Sequence, residues 1–355
     1  MSFAKYKGLV EDGDTVIVYL GRTKKDALQI KQGSVLNTKF GHFPHNYLIG
    51  QKYGKKIYSK SKKGWLYLLH ATPELWTTTL PHRTQILYNA DISMVLLQLD
   101  LKPGSVVVEA GTGSGSMSHS IMRTIAPTGH LYTFEFHEQR ANVARDEFVR
   151  HGFGDIVTVA NKDVLLNGFG LNHVADAVFL DLPSPWDAVK FSKDALKLSG
   201  GHLCSFSPCI EQVQQTCTVL EENGFKDIRS MECLQRKHDV RSITLEEPNF
   251  GKSEEENDEE VNEPFRKRTR DETEENDGET GAESNETTQN KGYEETKYEN
   301  SEETTGENFG ENLAINNSRR VVSRKCKQTL DILAACPVRQ TPGHTGYLTF
   351  AVLYP

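Results

Sequence analysis

The sequence predicts an α/β protein in which helices cover a mostly parallel sheet, with a small all-β unit before it. From about residue 85, apolar strand runs alternate with helical segments, an alternation typical of parallel sheets. Residues 1–80 instead contain short strands and frequent glycines, which favours a small β-barrel or sandwich. The 355-residue chain is long enough for both domains and for an acidic segment between residues 246 and 318.

The N-terminal region, residues 1–80, contains three strand-like runs, at 15–20, 34–40 and 65–70. Residues 81–245 and 319–355 are predicted to form one α/β domain, which the segment 246–318 interrupts. Its predicted strands are 105–109, 130–136, 156–160, 176–181, 202–207, 228–234 and 347–353, and its predicted helices are 116–125, 138–151, 187–198 and 211–223. Such an interruption is tolerated because a long surface connection costs little extra closure entropy.

Charge is unevenly distributed along the chain. The whole chain has a formal net charge of −8, but residues 246–318 contain 24 acidic and 7 basic side chains, and the remaining 282 residues have a net charge of +9. The acidic segment contains only six residues of the types Leu, Ile, Val and Phe. We therefore expect it to be disordered, because so few apolar side chains cannot offset the entropy lost on folding. The basic remainder suits the phosphates of a nucleic acid.

Several other protein classes fit the sequence poorly. There is no run of eighteen apolar residues that would predict a transmembrane helix, and residues 1–14 lack the apolar core of a signal peptide. The six cysteines include no CxxC pair. We therefore expect free thiols in a reducing compartment and no metal site.

The most informative motif is the glycine turn at residues 109–116, Glu-Ala-Gly-Thr-Gly-Ser-Gly-Ser, which follows a strand and opens a helix. Gly111, Gly113 and Gly115 allow a ligand to approach the backbone, and the helix N-terminus offers free N–H groups. A dinucleotide and S-adenosylmethionine both remain open as ligands. The G-x-G-x-G spacing departs from the dinucleotide fingerprint. The carboxylate of Glu109 would also repel a pyrophosphate, whereas it suits an ammonium group.

Acidic residues also follow the next two predicted strands. Glu135 lies 20 positions beyond Gly115 and could hold the ribose hydroxyls of either ligand. Asp163 comes after the third strand and could accept a hydrogen bond from an adenine amino group. Each could singly be a surface charge, but ligands of doubly wound sheets bind at the carboxyl ends of the strands.

The fourth strand ends at Asp181, which is followed by Leu-Pro-Ser-Pro-Trp. We expect the Asp181 carboxylate at the edge of the sheet, where it can accept a hydrogen bond from the exocyclic amino group of a nucleobase. An anion there would stabilise the positive charge that forms when N1 of adenine is methylated. The alternative is a turn residue in a loop that two prolines make rigid.

Together these motifs resemble one family, the catalytic subunits of eukaryotic tRNA (adenine-58-N1) methyltransferases. The resemblance covers nearly all of the chain outside residues 246–318. Its signatures are residues 83–88 (Arg-Thr-Gln-Ile-Leu-Tyr), the glycine turn, residues 134–140 (Phe-Glu-Phe-His-Glu-Gln-Arg), residues 181–186, and residues 344–347 (His-Thr-Gly-Tyr). It implies an N-terminal β-barrel, a class I (Rossmann-like) methyltransferase domain, S-adenosyl-L-methionine as the cofactor, and N1 of adenine 58 in the T-loop of tRNA as the target.

The resemblance also implies roles for single residues and a partner. Asp181 is the expected catalytic residue, and Tyr88 and His344 are expected in the substrate pocket, although packing roles remain open for both. The implied partner is a homologous non-catalytic subunit in a two-plus-two heterotetramer. With Glu109 and Gly111 added from the glycine turn, the expected cofactor contacts are as follows: Gln85, Leu87, Glu109, Gly111, Gly113, Ser114, Gly115, Ser116, Glu135, Arg140, Asp163, Val164 and Asp181.

Two basic segments bear on substrate and location. Residues 52–63 contain six lysines, two interleaved tyrosines and no acidic residue. We expect Lys55, Lys56, Lys62 and Lys63 to contact tRNA phosphates, the alternative being a solubilising surface. The island at 265–270, Phe-Arg-Lys-Arg-Thr-Arg, is either a solvated charge run or a nuclear import signal.

Three other functions remain open. The first is methylation of another RNA or of the N6 amino group. The second is a non-catalytic RNA-binding subunit, against which the intact glycine turn and Asp181 argue. The third is an NAD-dependent oxidoreductase, which the glycine spacing and Glu109 disfavour.

Overall fold

The structure is a computed structural model that describes residues 3, 6–21, 24–246, 329–338 and 346–355. By internal contacts the chain divides into one unit of residues 1–239 and 336–355 and a second unit of residues 240–335. His344 and the basic island at 265–270, both singled out above, lie outside the described residues. Within those residues, no helix combines the length and apolarity that crossing a bilayer requires.

The N-terminal region forms an antiparallel sheet and a separate hairpin around one core. Its elements are β1 (Thr15–Gly21), β2 (Lys24–Gln29), β3 (Val35–Thr38), β4 (Gly41–Pro44), α1 (His45–Leu48), β5 (Lys56–Tyr58) and β6 (Trp65–His70). Four strands pair in the order β2-β1-β6-β5, and β3 pairs with β4. Side chains from both sheets share a core that includes Val16, Phe43 and Leu66. The region is mostly β, with the short helix α1, and its closure into a barrel is not confirmed, because β2 and β5 do not pair in the described part of the chain.

The larger part of the chain is a layered α/β domain. Its elements are α2 (Pro73–Thr77), α3 (Asn89–Gln98), β7 (Val106–Ala110), α4 (Ser116–Ile125), β8 (His130–Glu135), α5 (Glu138–His151), β9 (Val157–Asn161), α6 (Val164–Asn167), β10 (Ala177–Leu180), α7 (Val189–Ala195), β11 (Gly201–Ser207), α8 (Ile210–Glu222), β12 (Lys226–Glu232) and β15 (Tyr347–Leu353). Two further strands, β13 (His238–Glu246) and β14 (Thr329–Pro337), belong almost wholly to the second unit.

Seven of these strands form one sheet in the order β12-β15-β11-β10-β7-β8-β9. The strands from β11 to β9 are parallel neighbours, whereas β15 runs antiparallel to β11 and β12. The predicted, mostly parallel sheet is thus confirmed. Strand order reverses at β7, because β8 and β9 lie on one side of it and β10 on the other. Such a switch point leaves a crevice at the carboxyl ends of β7 and β10 in which ligands bind.

Predicted and observed helix bounds agree best where a glycine marks the end of the helix in the sequence. Helices α4 and α5 have their predicted bounds, since Gly115 (φ 76°) precedes α4 and Gly152 (φ 89°) ends α5 in the left-handed conformation. The predicted helix 187–198 is shorter. A 3-10 turn at Pro185–Ala188 leads into α7, which ends at Ala195.

A two-stranded ribbon flanks the acidic segment. Strands β13 and β14 pair with each other, and the Thr244 hydroxyl donates a hydrogen bond to Asp331 at 2.6 Å. Neither strand was predicted. The residues between them include the acidic segment, so the chain leaves and re-enters its described part through neighbouring strands, as a tolerated interruption requires.

Candidate active site

The glycine turn connects β7 to α4 at the switch point of the sheet. Gly111 and Gly113 have φ angles of 97° and 53°, in the left-handed region that glycine adopts without strain. Close packing is a second reason why these two positions require glycine. A Cβ at Gly111 would lie 2.3 Å from the backbone oxygen of Asp181, and a Cβ at Gly113 would lie 2.7 Å from Oγ1 of Thr84. The glycines therefore allow the turn to touch both the end of β10 and the segment before α3.

The carboxylate of Glu135 closes the turn from the neighbouring strand. Its Oε2 accepts a hydrogen bond from the Gly113 N–H at 2.9 Å, and its Oε1 accepts from the His137 N–H at 3.0 Å. Arg140 donates to the same Oε1 from Nε at 3.0 Å and from Nη2 at 2.6 Å. Burial alone would raise the pKa of Glu135, but the hydrogen bonds from Arg140, His137 and Gly113 hold it below its usual value. Glu135 is thus a buried, ionised acceptor at the end of β8.

Glu109, at the end of β7, is fully buried beneath the turn. Its Oε2 accepts hydrogen bonds of 2.6 Å from both Ser118 and Thr133, whereas its Oε1 has no partner among the described residues. Burial raises the pKa of Glu109 to about 7, although the Ser118 and Thr133 hydroxyls lower it in part and the nearby carboxylates raise it. Glu109 does not line the cleft described below, so the structure does not place it in direct reach of a ligand there.

Asp181 follows β10 and faces the glycine turn. Its backbone N–H donates to the Ala110 carbonyl at 2.9 Å, which fixes the chain where β7 and β10 end together. Burial raises the pKa of its carboxyl group to about 6. No cation within the described residues lies against this carboxylate to offset the burial. The site therefore keeps a partly desolvated acceptor with free hydrogen-bonding capacity.

One narrow cleft brings together residues from three parts of the chain. It lies at the carboxyl ends of β7 and β10 and encloses about 20 Å³. The predicted cofactor residues that line it are Gln85, Leu87, Gly111, Gly113, Ser114, Ser116 and Asp181, and the remaining lining comes from Thr84, Ile86, Thr112, Met117 and Phe179. The second group was not predicted individually, although Thr84 and Ile86 lie within the signature at 83–88.

A buried network behind the turn was also missed from the sequence. Arg83 donates from Nη2 to the Ser114 carbonyl at 3.0 Å and forms an ion pair with Glu147 of α5 at 2.9 Å. The Gly115 carbonyl accepts a 2.6 Å hydrogen bond from Nδ1 of His119, so Nε2 of His119 accepts in turn from Nδ1 of His151 at 2.8 Å. No local sequence pattern predicts these contacts, because Arg83 and Glu147 are 64 positions apart.

This network has the residue types of a metal site, since ligand atoms of His119, Glu147 and His151 lie within 4.8 Å of one another. Its hydrogen bonds favour a structural role instead. Arg83 already neutralises Glu147, and the two imidazoles bond to each other. Burial lowers the pKa of His119 to about 4 and lowers that of His151 further, so both rings are neutral at physiological pH. The network holds the carbonyls of Ser114 and Gly115 in place.

The remaining predicted residues lie at or beyond the edges of the cleft. Asp163 caps α6, where its Oδ1 accepts from the N–H groups of Leu165 at 3.0 Å and Leu166 at 3.3 Å. Val164 is buried, and Tyr88 is exposed at the start of α3. The four lysines, Lys55, Lys56, Lys62 and Lys63, are exposed in the N-terminal region.

Known proteins resemble this chain in sequence. The family model of the GCD14 subunit of the tRNA methyltransferase complex matches residues 64–353. The tRNA (adenine(58)-N(1))-methyltransferase catalytic subunit of Dictyostelium discoideum is 48% identical over 246 residues, which are 68% of this chain and 78% of that protein. The protein of the same name from Candida albicans is 44% identical over 252 residues, covering 68% of this chain and 75% of its own length.

Solved structures show the same fold at lower identity. A SAM-dependent O-methyltransferase of Thermotoga maritima superposes with a TM-score of 0.64 and 21% identity, covering 98% of this chain and 95% of its own. The tRNA 1-methyladenosine-58 methyltransferase of Aquifex aeolicus superposes with a TM-score of 0.59 and 18% identity, covering 97% of this chain and 98% of its own. Both neighbours support the class I methyltransferase fold.

Proposed function

The chain belongs to the family of GCD14 subunits of tRNA methyltransferase complexes, and from this membership and the site we propose that it is the catalytic subunit that methylates N1 of adenine 58 in tRNA. The observation that supports catalysis by this chain is the Asp181 carboxylate, which lies beside the glycine turn without a cationic partner among the described residues.

We propose S-adenosyl-L-methionine as the cofactor. The charges of the site fit it, because burial raises the pKa values of Glu109 and Asp181 to about 7 and about 6 and no cation in the described chain compensates either group. A sulfonium and an ammonium group would stabilise these carboxylates in their charged forms, whereas the pyrophosphate of a dinucleotide would be repelled. The NAD-dependent alternative is disfavoured for this reason.

The proposed cofactor contacts divide by strand end. Glu135, held by Arg140, would accept from the ribose hydroxyls, and Asp163 would accept from the adenine amino group. The other contacts in this proposal are Gln85, Leu87, Gly111, Gly113, Ser114, Gly115, Ser116 and Val164, with Glu109 acting on charge from beneath the turn.

Asp181 is the proposed catalytic residue. When bound, the cofactor supplies an electrophilic methyl group. The Asp181 carboxylate would accept a hydrogen bond from the exocyclic amino group of the target adenine, which orients the base and raises electron density at N1. It would also stabilise the positive charge on the methylated ring. Much of the acceleration of such a displacement comes from this positioning.

The target adenine lies in a folded tRNA loop and must leave its stack to reach Asp181. We propose that Lys55, Lys56, Lys62 and Lys63 contribute phosphate contacts that offset this cost. Tyr88, exposed next to the cleft-lining Leu87, is a proposed contact of the adenine, and His344 stays a prediction outside the described residues. The N-terminal region would act as a small barrel, a proposal that its single core shared by two sheets supports.

We propose that a homologous non-catalytic subunit completes a two-plus-two heterotetramer. The β13–β14 ribbon supports a partner, because a two-stranded sheet is at most marginally stable in water and this one exposes Val240, Leu245, Leu330 and Leu333. We also propose a nuclear location from the island 265–270. Replacing its four basic residues with alanine is expected to reduce nuclear accumulation, and unchanged accumulation would remove the island as the sole signal.

The function is tested by methylation of unmodified tRNA, with and without the co-purifying subunit, followed by mapping of the product. We expect 1-methyladenosine at position 58. A methyl group on N6, or on another RNA, would support the second candidate reaction. Transfer at the wild-type rate when Asp181 is changed would instead remove this residue from the reaction.

A further inference from the structure

An open groove of about 940 Å³ lies in the N-terminal region, away from the glycine turn. Pro44 and Tyr47, at the junction of β4 and α1, line one part of it, and Tyr58, Lys60 and Lys62 after β5 line another. Its volume falls within the range of sites that hold ligands of nucleotide size. Of the predicted site residues, only Lys62 lines this groove.

The aromatic rings of the groove are unusually accessible. Tyr47 is 51% exposed and Tyr58 is 48% exposed. Tyr58 is fixed at the end of β5 by pairing with Trp65 of β6. The ammonium group of Lys56 lies 5.5 Å from the Tyr58 ring centre and 4.6 Å from the Trp65 ring centre. Lys60 and Lys62 also line the groove, which thus presents accessible aromatic rings and positive charge together, the combination that single-stranded nucleic acids bind.

The segment that supplies all the lining residues of the groove carries formal charge of one sign. Residues 27–73 contain eight lysines and no aspartate or glutamate. Such a region attracts a polyanion, and two macromolecular polyanions are conceivable, an acidic peptide and an RNA. The exposed tyrosines favour RNA, because every base offers a face for stacking and an acidic peptide offers none.

We propose that this groove binds unpaired nucleotides of the RNA substrate, with bases stacked on Tyr47 and Tyr58 and phosphates at Lys60 and Lys62. The identity of that RNA as tRNA rests on the function proposed above. Extracting the target adenine from a folded loop unstacks its neighbours as well. A site that stacks the displaced bases would compensate for that loss and would lower the KM for tRNA without touching the reacting atoms.

The test uses the complex of this chain with its co-purifying subunit. The double variant Tyr47→Leu/Tyr58→Leu is compared with Tyr47→Phe/Tyr58→Phe, which keeps the rings, and with Tyr6→Leu, which removes a tyrosine that is 87% exposed outside the groove. Steady-state methylation gives KM for tRNA and kcat, and quenching of a single-stranded RNA decamer that contains 2-aminopurine reports stacking. Melting temperatures verify that all variants are folded.

We expect the leucine variant to raise the KM about tenfold or more and to abolish the quenching, with kcat nearly unchanged, while both controls behave as wild type. Lys60→Ala/Lys62→Ala should make the salt dependence of decamer binding shallower by about 1.4 in slope. Wild-type KM and quenching in the leucine variant would overturn the proposal, as would poly-glutamate that displaces the decamer from wild type and binds the leucine variant equally well. Quenching without any tRNA methylation by the wild-type complex would refute the proposed function and leave the groove as an RNA site.

Discussion

Replacing Asp181 with asparagine removes one negative charge and almost no volume. In the folded protein, burial raises the pKa of Asp181 to about 6 from a usual value near 4. The group therefore ionises at a cost, with no donor in the described residues to reduce it. If the carboxylate acts on the adenine, this uncompensated charge accepts the hydrogen bond of the adenine amino group. The substitution should abolish that interaction and leave the cleft intact.

The magnitude follows from two numbers. With a pKa of about 6, the Asp181 carboxyl group is ionised in about 90% of the molecules at pH 7 and in about 10% at pH 5. Methyl transfer should therefore fall roughly tenfold from pH 7 to pH 5 as Asp181 takes up a proton. Loss of a preorganised electrostatic contact to the transition state lowers kcat by about 100- to 1,000-fold. We therefore expect Asp181→Asn at pH 7 to lose at least two orders of magnitude in kcat, and Asp181→Ala to lose most transfer as well.

The assay is transfer of a labelled methyl group from S-adenosylmethionine to unmodified tRNA between pH 5 and 8, with cofactor affinity measured by calorimetry. Cofactor binding should weaken but persist in both variants, because one of the two carboxylates that suit its positive charges is lost while the glycine turn and Glu135 remain. Glu109→Gln is the matched control, because burial raises the pKa of Glu109 to about 7 and its own titration could produce a similar acid limb. Wild-type-like turnover in Asp181→Asn would refute the assignment, as would an acid limb that persists in Asp181→Asn and disappears in Glu109→Gln.

The substitution Asp181→Asn should change stability and activity in opposite directions. A carboxyl group whose pKa is raised on folding opposes folding when it ionises, so it destabilises the wild type increasingly as the pH rises from about 4 through about 6. Asp181→Asn should therefore resist unfolding better than wild type at pH 7 while it loses activity. A residue that served only to cap a turn would change stability little, because Asn caps about as well as Asp.

Three further predictions concern the turn and the acidic segment. Gly111→Ala should weaken cofactor binding at least tenfold by calorimetry, because the new Cβ would lie 2.3 Å from the Asp181 backbone oxygen. Gly50→Ala, with similar φ (80°), nothing within 4 Å and a place outside the cleft, should leave affinity unchanged, and wild-type affinity in Gly111→Ala would contradict the role of the turn. Glu147→Gln should raise the KM for the cofactor but not for tRNA, because it breaks the ion pair of Arg83, which holds the Ser114 carbonyl, and an equal rise in both would contradict a local effect. Deleting residues 250–315 should leave turnover in vitro nearly intact, and a large loss would show that the acidic segment takes part in binding tRNA or the partner.

Elements with strong local signals could be predicted from the sequence. The glycines at both ends of the α4–α5 region and the apolar run of β7 determine their bounds almost without reference to the rest of the chain. Strand β2, with the sequence Lys-Lys-Asp-Ala-Leu-Gln, was missed because it is a polar edge strand paired only with β1. Helix α3 was missed because its apolar residues are nearly continuous, so that no helical period stands out.

The site residues also differ in whether the sequence could predict them. The glycine turn, Glu135 and Asp181 could be predicted because ligands of doubly wound sheets bind at the strand ends that carry them. Arg83 with Glu147, and His119 with His151, could not be predicted, because these partners become neighbours only when α5 packs against α4 and the segment before α3. The groove of Tyr47 and Tyr58 likewise depends on how α1 lies beside β5.

The sequence alone determined the fold class, the turn at the switch point and the residue types of the reacting end, because strand period, glycine position and charge are local properties of the chain. Only the tertiary structure decided which carboxylates are compensated. Glu135 receives Arg140 and two backbone N–H groups and stays ionised, whereas Glu109 and Asp181 are buried without a cation and have raised pKa values. That difference arises from burial and from contacts between distant residues, and these exist only once the sheet and its helices have packed.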